Sequence, residues 1–252
     1  MNIKHPNIDD IPRLRRLWQD AFGDSDSFLD SFFNTAFLPD HSMAVYKSDE
    51  LAAALYWFFC EVNSKPVAYI YAVATAAEYR GCGICHKLMD STHRKLEADE
   101  YVGAILVPSE KSLFDFYGRM GYKTATSLNK FTCTASDASV SLVPVGINEY
   151  ETLRRQYLPY GGVVQECENT RFLSTQMKMY KGNDFVMAGT VRGGKLYCAE
   201  LLGNTAAASG IVRALGAEEG HFRTAGEKTP FSMYLPISTD LAPPTYFGLA
   251  FD

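Results

Sequence analysis

The residues most able to do chemistry form a six-residue turn, Arg80-Gly-Cys-Gly-Ile-Cys85, between an apolar stretch and a helical pattern. Gly81 and Gly83 allow positive φ angles and let backbone N–H groups approach a ligand closely. The start of the following helix adds unpaired N–H donors and a partial positive charge, which suit a phosphate or pyrophosphate. Arg80 could add a charge-assisted contact to the same anion. The spacing therefore fits a phosphate-bearing ligand and fits a plain strand-to-helix connection equally well.

The same turn carries a second pattern. Cys82-Gly-Ile-Cys85-His86 contains a C-x-x-C pair, typical of thiol redox sites, and matches the attachment sequence of c-type haem. No second Cys or His pair at ligand spacing accompanies it, and haem attachment normally goes with an export signal, which we do not find at the N-terminus. We keep thiol redox chemistry as an alternative and expect no metal site. The turn matches neither the dinucleotide fingerprint nor the phosphate-loop pattern.

The hydrophobic pattern around the turn predicts the elements that position it. Residues 51–62 and 67–75 are rich in β-branched and aromatic residues, as in two paired strands. After Thr75 the period changes from 2 to 3.6, which predicts a helix over residues 83–98. The remaining predictions for this half are two helices before residue 40 and strands at 43–47, 104–107 and 122–133, with a helix at 111–120. This order indicates an α/β (α+β) fold.

The second half of the chain repeats part of that order. A small, polar segment at residues 134–141 is the best linker candidate, so we predict a domain at residues 1–135 and a smaller one at 142–252. The second half shows a hairpin across Gly193 and Gly194, then a helix at residues 206–215 and a strand at 231–235, without a counterpart of the glycine-bearing turn. We therefore assign ligand binding to the first half.

Composition excludes several classes of protein. Of the 252 residues, 47% are hydrophobic and 21% are charged, which excludes disorder and a small disulfide-stapled scaffold. The net charge is −5 without a long Lys/Arg cluster, which argues against a nucleic-acid partner. The longest apolar run is shorter than the ~20 residues of a membrane span, and the six scattered cysteines fit reduced thiols. We expect a cytoplasmic protein without a membrane partner, and the oligomeric state stays open.

Two motifs together point to a family. The turn at residues 80–85 resembles the Arg/Gln-x-x-Gly-x-Gly/Ala motif of the GCN5-related N-acetyltransferases (GNAT). Phe116-Tyr-Gly-Arg-Met-Gly-Tyr122 is similar to the second signature of that family, Phe/Leu-Tyr-x-x-x-Gly-Phe/Tyr. Cys85 stands where the family has Gly or Ala, and Glu110 stands where many members have Asn. The resemblance covers residues 8–133 and implies the GNAT fold, a mixed central sheet flanked by helices.

One branch of the family is especially similar. Ser109-Glu110 followed by residues 117–122 resembles the Eis-like enzymes, in which a second, degenerate acetyltransferase-like unit follows the first. The weak repeat after residue 141 fits that arrangement. The branch usually adds a sterol-carrier-like domain, for which this chain has no room.

The resemblance implies that acetyl-CoA is the donor and that its acetyl group moves directly to a primary amine of a small molecule or a peptide. The pyrophosphate would lie on Arg80, Gly81, Cys82, Gly83, Ile84 and Cys85, and the pantetheine arm would follow Val73, Ala74 and Thr75. Tyr117 matches the tyrosine that protonates the departing sulfur, although it also fits a packed aromatic residue. A backbone N–H near Val73 or Ala74 would hold the thioester oxygen. The second unit would shape the acceptor pocket.

The general base has no motif, and two carboxylates are candidates. Glu61 lies near the end of a predicted strand, while Eis-like enzymes place their terminal carboxylate in the active site, which here is Asp252. The segment 243–252 is unusually apolar for a chain end, so we expect it to dock. His86 and His93 are expected to be exposed helix positions. The alternatives are a non-catalytic acyl-CoA-binding module of this fold and a thiol redox protein.

Overall fold

A computed structural model describes residues 1–238 and 242–251. Within these residues, thirteen strands form one mixed sheet. The strands are β1 (Asn2–Lys4), β2 (Ser42–Lys47), β3 (Glu50–Val62), β4 (Lys65–Thr75), β5 (Gly103–Leu106), β6 (Lys123–Thr134), β7 (Val143–Pro144), β8 (Val164–Gln165), β9 (Lys178–Lys181), β10 (Phe185–Arg192), β11 (Lys195–Gly203), β12 (Glu219–Ala225) and β13 (Thr229–Pro236). The helices are α1 (Ile11–Phe22), α2 (Asp26–Thr35), α3 (Ile84–Ala98), α4 (Lys111–Gly118), α5 (Ile147–Tyr157), α6 (Glu168–Gln176) and α7 (Ala208–Ala214). The predicted mixed sheet flanked by helices is confirmed.

The two halves of the sheet exchange strands. The strand order is β1-β2-β3-β4-β5-β13-β6-β12-β11-β10-β9-β7, with β8 beside β3. The late strand β13 pairs antiparallel with both β5 and β6, and the earlier strand β6 pairs with β12. Each half is therefore completed by a strand from the other half. The boundary at residues 135–142 stays a prediction, and that segment is an irregular connection between β6 and β7.

Each half also contains the same four-element unit. In the first half, the antiparallel hairpin β3–β4 leads into α3 and then into β5, which is parallel to β4. In the second half, the hairpin β10–β11 leads into α7 and then into β12, which is parallel to β11. The repeat expected from the sequence ends on a strand at residues 231–235, but these residues belong to β13, which lies between β5 and β6, and the fourth element of the unit is β12.

Helices cover both faces of the first half. On one face, α1 and α2 pack an aromatic cluster around Trp18, whose ring centroid lies 4.8 Å from that of Phe32 and 5.2 Å from that of Tyr56. On the other face, α3 buries Ile84, Leu88 and other apolar residues against the sheet. In the described part of the chain, no helix has the length and hydrophobicity needed to span a bilayer.

Candidate active site

A gap opens between β4 and β5. The two strands pair in parallel only where residues 67–69 meet residues 103–105, and beyond that point they separate. On its other side β4 stays paired with β3 as far as Thr75, with a bulge in which Ala72 and Val73 oppose one residue of β3. Ala72 has a φ of 47°, a conformation that non-glycine residues rarely adopt and that often marks functional sites. The bulge therefore bends the end of β4 away from β5.

The glycine-bearing turn closes one end of this gap. Gly81 and Gly83 have φ angles of 74° and 72°, which glycine adopts without steric cost. A Cβ atom at either position would meet nothing within 4 Å, so the space beside the turn is open to a ligand. Gly83 directly precedes α3, whose first N–H groups therefore border that space. The Nε atom of Arg80 donates to the carbonyl oxygen of Thr75 at 3.0 Å, which holds the arginine at the end of β4.

The gap and the turn form a single cavity of about 780 Å³, the donor cavity. Its walls are β4, the turn, the end of β5, and α4. The site residues predicted from the sequence that line this cavity are Val73, Ala74, Thr75, Arg80, Gly81, Gly83, Ile84, Cys85 and Tyr117. Cys82 is exposed and is not part of the lining. The structure thus brings the two sequence motifs to opposite sides of one space.

Tyr117 projects from α4 into the donor cavity while its ring is almost fully buried. The ring contacts Phe116 and Tyr122 at centroid distances of 5.2 and 6.0 Å. Burial raises the pKa of the Tyr117 hydroxyl well above its usual value, and the nearby Cys85 adds to the effect. The hydroxyl therefore keeps its proton at neutral pH, as a proton donor must.

Cys85 does not have the environment of a reactive thiol. Burial raises the pKa of Cys85 to about 11, and a hydrogen bond involving Thr75 offsets only part of that change. The thiolate is the reactive form, so Cys85 is a weak nucleophile near pH 7. Cys82 and Cys85 are both free thiols. Across residues 1–238 and 242–251, no three His, Cys, Asp or Glu side chains are grouped as metal ligands would be.

The expectation for the two histidines of α3 is half wrong. His86 is exposed, as predicted. His93 is partly buried, its Nε2 atom lies 2.8 Å from the hydroxyl of Tyr122, and burial lowers its pKa to about 4. His93 is therefore neutral near pH 7 and has a structural role. Helical periodicity did not predict its burial, because the contact with Tyr122 joins residues that are distant in the sequence.

Of the two candidate bases, Glu61 does not reach the site. It lies outside the donor cavity and pairs with Arg155 at 3.4 Å. Asp252 lies outside the described residues, but its neighbour Phe251 lines the donor cavity. The Phe251 ring packs against Phe172 with centroids 4.7 Å apart, and its backbone N–H donates to the Tyr69 hydroxyl at 3.4 Å. The chain end therefore runs beside β4.

A buried polar network, which sequence reasoning missed, anchors this chain end. The Nε atom of Arg154 donates to Glu200 at 2.7 Å, and both side chains are almost completely buried. The hydroxyl of Tyr246 donates to the other oxygen of Glu200 at 2.9 Å. The amide of Gln165 donates to the carbonyl of Leu249 at 2.5 Å and accepts from its N–H at 3.3 Å. No sequence signal marked these residues, because Arg and Glu are usually exposed.

A second cavity of about 960 Å³, the acceptor-side cavity, adjoins the first. Asp24, Tyr71 and Phe251 line both spaces. The rest of the second cavity is bounded by α2 and by strands β6, β10, β11 and β12 of the second half. A molecule bound there could therefore reach the donor cavity past the aromatic rings of Tyr71 and Phe251.

Comparison with known proteins gives one family and one fold. Residues 2–125 match a family model described as an acetyltransferase (GNAT) domain. The chain is similar in structure to a GCN5-related N-acetyltransferase from Kribbella flavida, with 18% identity, a TM-score of 0.71, and coverage of 94% of this chain and 72% of that one. It is also similar to Eis1 from Mycobacterium abscessus, with 10% identity, a TM-score of 0.70, and coverage of 95% and 75%.

A third structure matches this chain over almost the whole length of both proteins. A putative acetyltransferase from Pyrococcus horikoshii has 16% identity and a TM-score of 0.65, with 98% of this chain and 93% of that chain covered. No curated protein matches the sequence. The structural likenesses therefore show that the GNAT fold expected from the sequence extends over both halves of the chain.

Proposed function

The chain belongs to the GNAT acetyltransferase family through residues 2–125, and from that membership we propose that it moves the acetyl group of acetyl-CoA directly to a primary amine. The observation that carries this proposal is the donor cavity, in which the open edge of β4, the turn before α3 and Tyr117 face one space. Acetyl-CoA supplies a thioester whose carbonyl carbon is open to attack by an amine. The Eis-like branch fits best, because a second unit of related order follows the first.

The turn is the proposed holder of the donor's pyrophosphate. The N–H groups at the start of α3 and the guanidinium of Arg80 would donate to its oxygens. The open space beside Gly81 and Gly83 fits such a group, since no side chain obstructs it. Backbone groups of Val73, Ala74 and Thr75 would bind the pantetheine arm along the gap.

Tyr117 is the proposed general acid. As the nitrogen–carbon bond forms and the carbon–sulfur bond breaks, the hydroxyl of Tyr117 would give its proton to the departing thiolate. A backbone N–H beside the bulge at Val73 would stabilise charge on the thioester oxygen.

The chain end is the proposed base. A carboxylate at Asp252 would take the proton that the attacking amine loses, because Phe251 already lies in the donor cavity. Deleting Asp252 tests this role: turnover should fall while acetyl-CoA still binds, and unchanged turnover in a folded variant would exclude it.

The second half would form the acceptor wall. Because acetyl-CoA is a cytoplasmic metabolite and the described cysteines are free thiols, we place the protein in the cytoplasm.

The donor site is tested by titrating acetyl-CoA calorimetrically into the wild type and two variants, Gly83→Asp and Gly83→Asn. Both residues tolerate positive φ better than other side chains, and they are nearly identical in shape, so they differ mainly in charge. Aspartate should weaken binding at least about tenfold more than asparagine, because it places a negative charge beside the pyrophosphate. Circular dichroism establishes that both variants fold. A folded wild type that does not bind acetyl-CoA would overturn the proposal.

A further inference from the structure

One face of the second half of the sheet forms the floor of the acceptor-side cavity. Alternate residues of a strand share a face, and the side chains on this face include Lys130 of β6, Arg192 of β10, and His221 and Arg223 of β12. The opposite face of the same strands is covered by α7, which packs on Cys198 and Phe222. The basic face is therefore the one that looks toward the site of transfer.

Two of these cations are direct neighbours. Lys130 and Arg223 oppose each other in the antiparallel register of β6 and β12. Like charges in directly opposed positions destabilise a sheet. The ring of Phe231 lies below both groups, 5.9 Å from the Lys130 nitrogen and 5.7 Å from the Arg223 guanidinium carbon, and offsets part of that cost. The two cations therefore lie side by side on the floor of the cavity, where one anionic group could contact both.

The charged lining of the cavity is unbalanced in the same direction. Among the described residues, three cations, Lys130, Arg192 and Arg223, line it together with one carboxylate, Asp24. Asp24 lies at the junction with the donor cavity and accepts a hydrogen bond from the Trp18 indole at 2.8 Å. Considering the described residues only, neither Lys130 nor Arg192 forms an ion pair. The cavity thus carries positive charge on its sheet floor and negative charge near the site of transfer.

We infer that the acceptor carries an anionic group in addition to its amine. The anion, a carboxylate or a phosphate, binds to Lys130 and Arg223, while the amine points past Tyr71 and Phe251 toward the thioester. The inference rests on the proposed transferase function, since it names the substrate class of that same reaction. It predicts amino acids, acidic peptides or amino phosphates as acceptors in preference to polyamines.

Four ligands of one chain length test the inference: 6-aminohexanoate, 6-aminohexanamide, 1,6-diaminohexane and 6-aminohexyl phosphate. Each is titrated into the CoA-loaded protein, and each is also assayed as an acceptor by release of the CoA thiol. The carboxylate or the phosphate should bind at least about tenfold more tightly than the amide, because a charge-assisted contact to a cation replaces a neutral one. The two anions compared with each other distinguish a carboxylate site from a phosphate site.

Lys130→Glu is the diagnostic variant. A glutamate at position 130 faces Arg223 and replaces a like-charge pair with an opposite-charge pair, so the variant should melt at or above the wild-type temperature. Its affinity for both anions should fall at least about tenfold, while its affinity for acetyl-CoA should not change. Arg213→Glu is the matched control, because it makes the same change of charge on α7, on the other face of the sheet. The control should bind all four ligands as the wild type does.

Several outcomes would overturn the inference. They are preference for the diamine or the amide, absence of measurable anion binding to the CoA-loaded wild type, and equal effects of the two charge reversals. If only the diamine were acetylated, the proposed transferase function would stand, but the inference that the acceptor is anionic would be wrong. Failure of the wild type to bind acetyl-CoA would instead remove the proposed function, and the anion titration repeated on the ligand-free protein would still show whether the basic face binds anions.

Discussion

The strands β4 and β11 occupy corresponding places in the two halves, yet one borders an open cavity and the other a filled core. Both are second strands of a hairpin, and both contain a bulge in the pairing with the first strand. The residue after the bulge is Ala74 in β4 and Glu200 in β11. Ala74 lines the donor cavity, whereas Glu200 is completely buried in an ion pair with Arg154.

The difference teaches how one arrangement of strands serves two purposes. In the first half, small side chains and a glycine-bearing turn leave the gap beside the bulged strand empty. In the second half, a buried ion pair and the docked chain end occupy the corresponding region, where Gly248 passes so close to Glu200 that a Cβ atom would lie 2.1 Å from a carboxylate oxygen. The first half therefore keeps an open cavity, and the corresponding region of the second half holds the chain end beside that cavity.

Breaking the ion pair of the second half should have the largest effect. Glu200→Leu leaves the Arg154 guanidinium buried without its partner, which typically costs about 3–5 kcal/mol of unfolding free energy. Urea denaturation measures the loss. The double variant Arg154→Met with Glu200→Leu should recover much of the stability, because no charge is then left buried. A single variant within about 1 kcal/mol of the wild type would contradict the role given to this pair.

Removing the hydroxyl of Tyr117 should affect chemistry rather than folding. Tyr117→Phe should lower kcat by about 100-fold or more, as expected for loss of a general acid, while the Kd for acetyl-CoA changes little. Steady-state kinetics together with calorimetry separate the two effects. Tyr79→Phe is a suitable control, because Tyr79 also lines the donor cavity but donates its hydroxyl to Glu50 at 2.8 Å. Equal losses in the two variants would argue that Tyr117 only packs.

Substitutions in the two bulges should have the smallest effects on the free energy of unfolding, and these effects should have opposite signs in β4 and β11. Ala72 has a positive φ, so Ala72→Gly should raise the unfolding free energy by up to about 1 kcal/mol through relief of strain. Ala199, the extra residue of the β11 bulge, is not among the described positive-φ residues, so Ala199→Gly should lower it by roughly 0.5–1 kcal/mol. Thermal denaturation of the pair measures both. Effects of the same sign would show that the two bulges are not strained differently.

Local patterns in the sequence predicted much of the first half. The change of period after Thr75 predicted α3, and Gly81 and Gly83 predicted the turn, because both signals depend on neighbouring residues only. Tyr117 followed from its motif. The apolar chain end predicted docking, and Tyr246, Phe247 and Leu249 are indeed buried.

The rest depends on contacts between distant residues. β12 was missed because its exposed face carries His221 and Arg223, so its residues lack the apolar, β-branched character of a strand. α6 was missed because its nine residues contain few apolar positions. Glu61 was considered as a base because position along a strand does not reveal that a partner such as Arg155 neutralises it. The exchange of β6 and β13 could not be predicted, because hydrophobic periodicity indicates that a segment is a strand but not which strand it pairs with.

That exchange has a consequence for the order in which the chain can fold during synthesis. β5 pairs with β4 early but gains its second neighbour, β13, only when residues 229–236 have left the ribosome, so one edge of β5 stays unpaired until most of the chain exists. Contacts of such long sequence separation slow folding and prolong exposure of strand edges. The nascent first half is therefore expected to depend on chaperones or on rapid completion of the chain, and acetyl-CoA binding should appear late, together with the last strand.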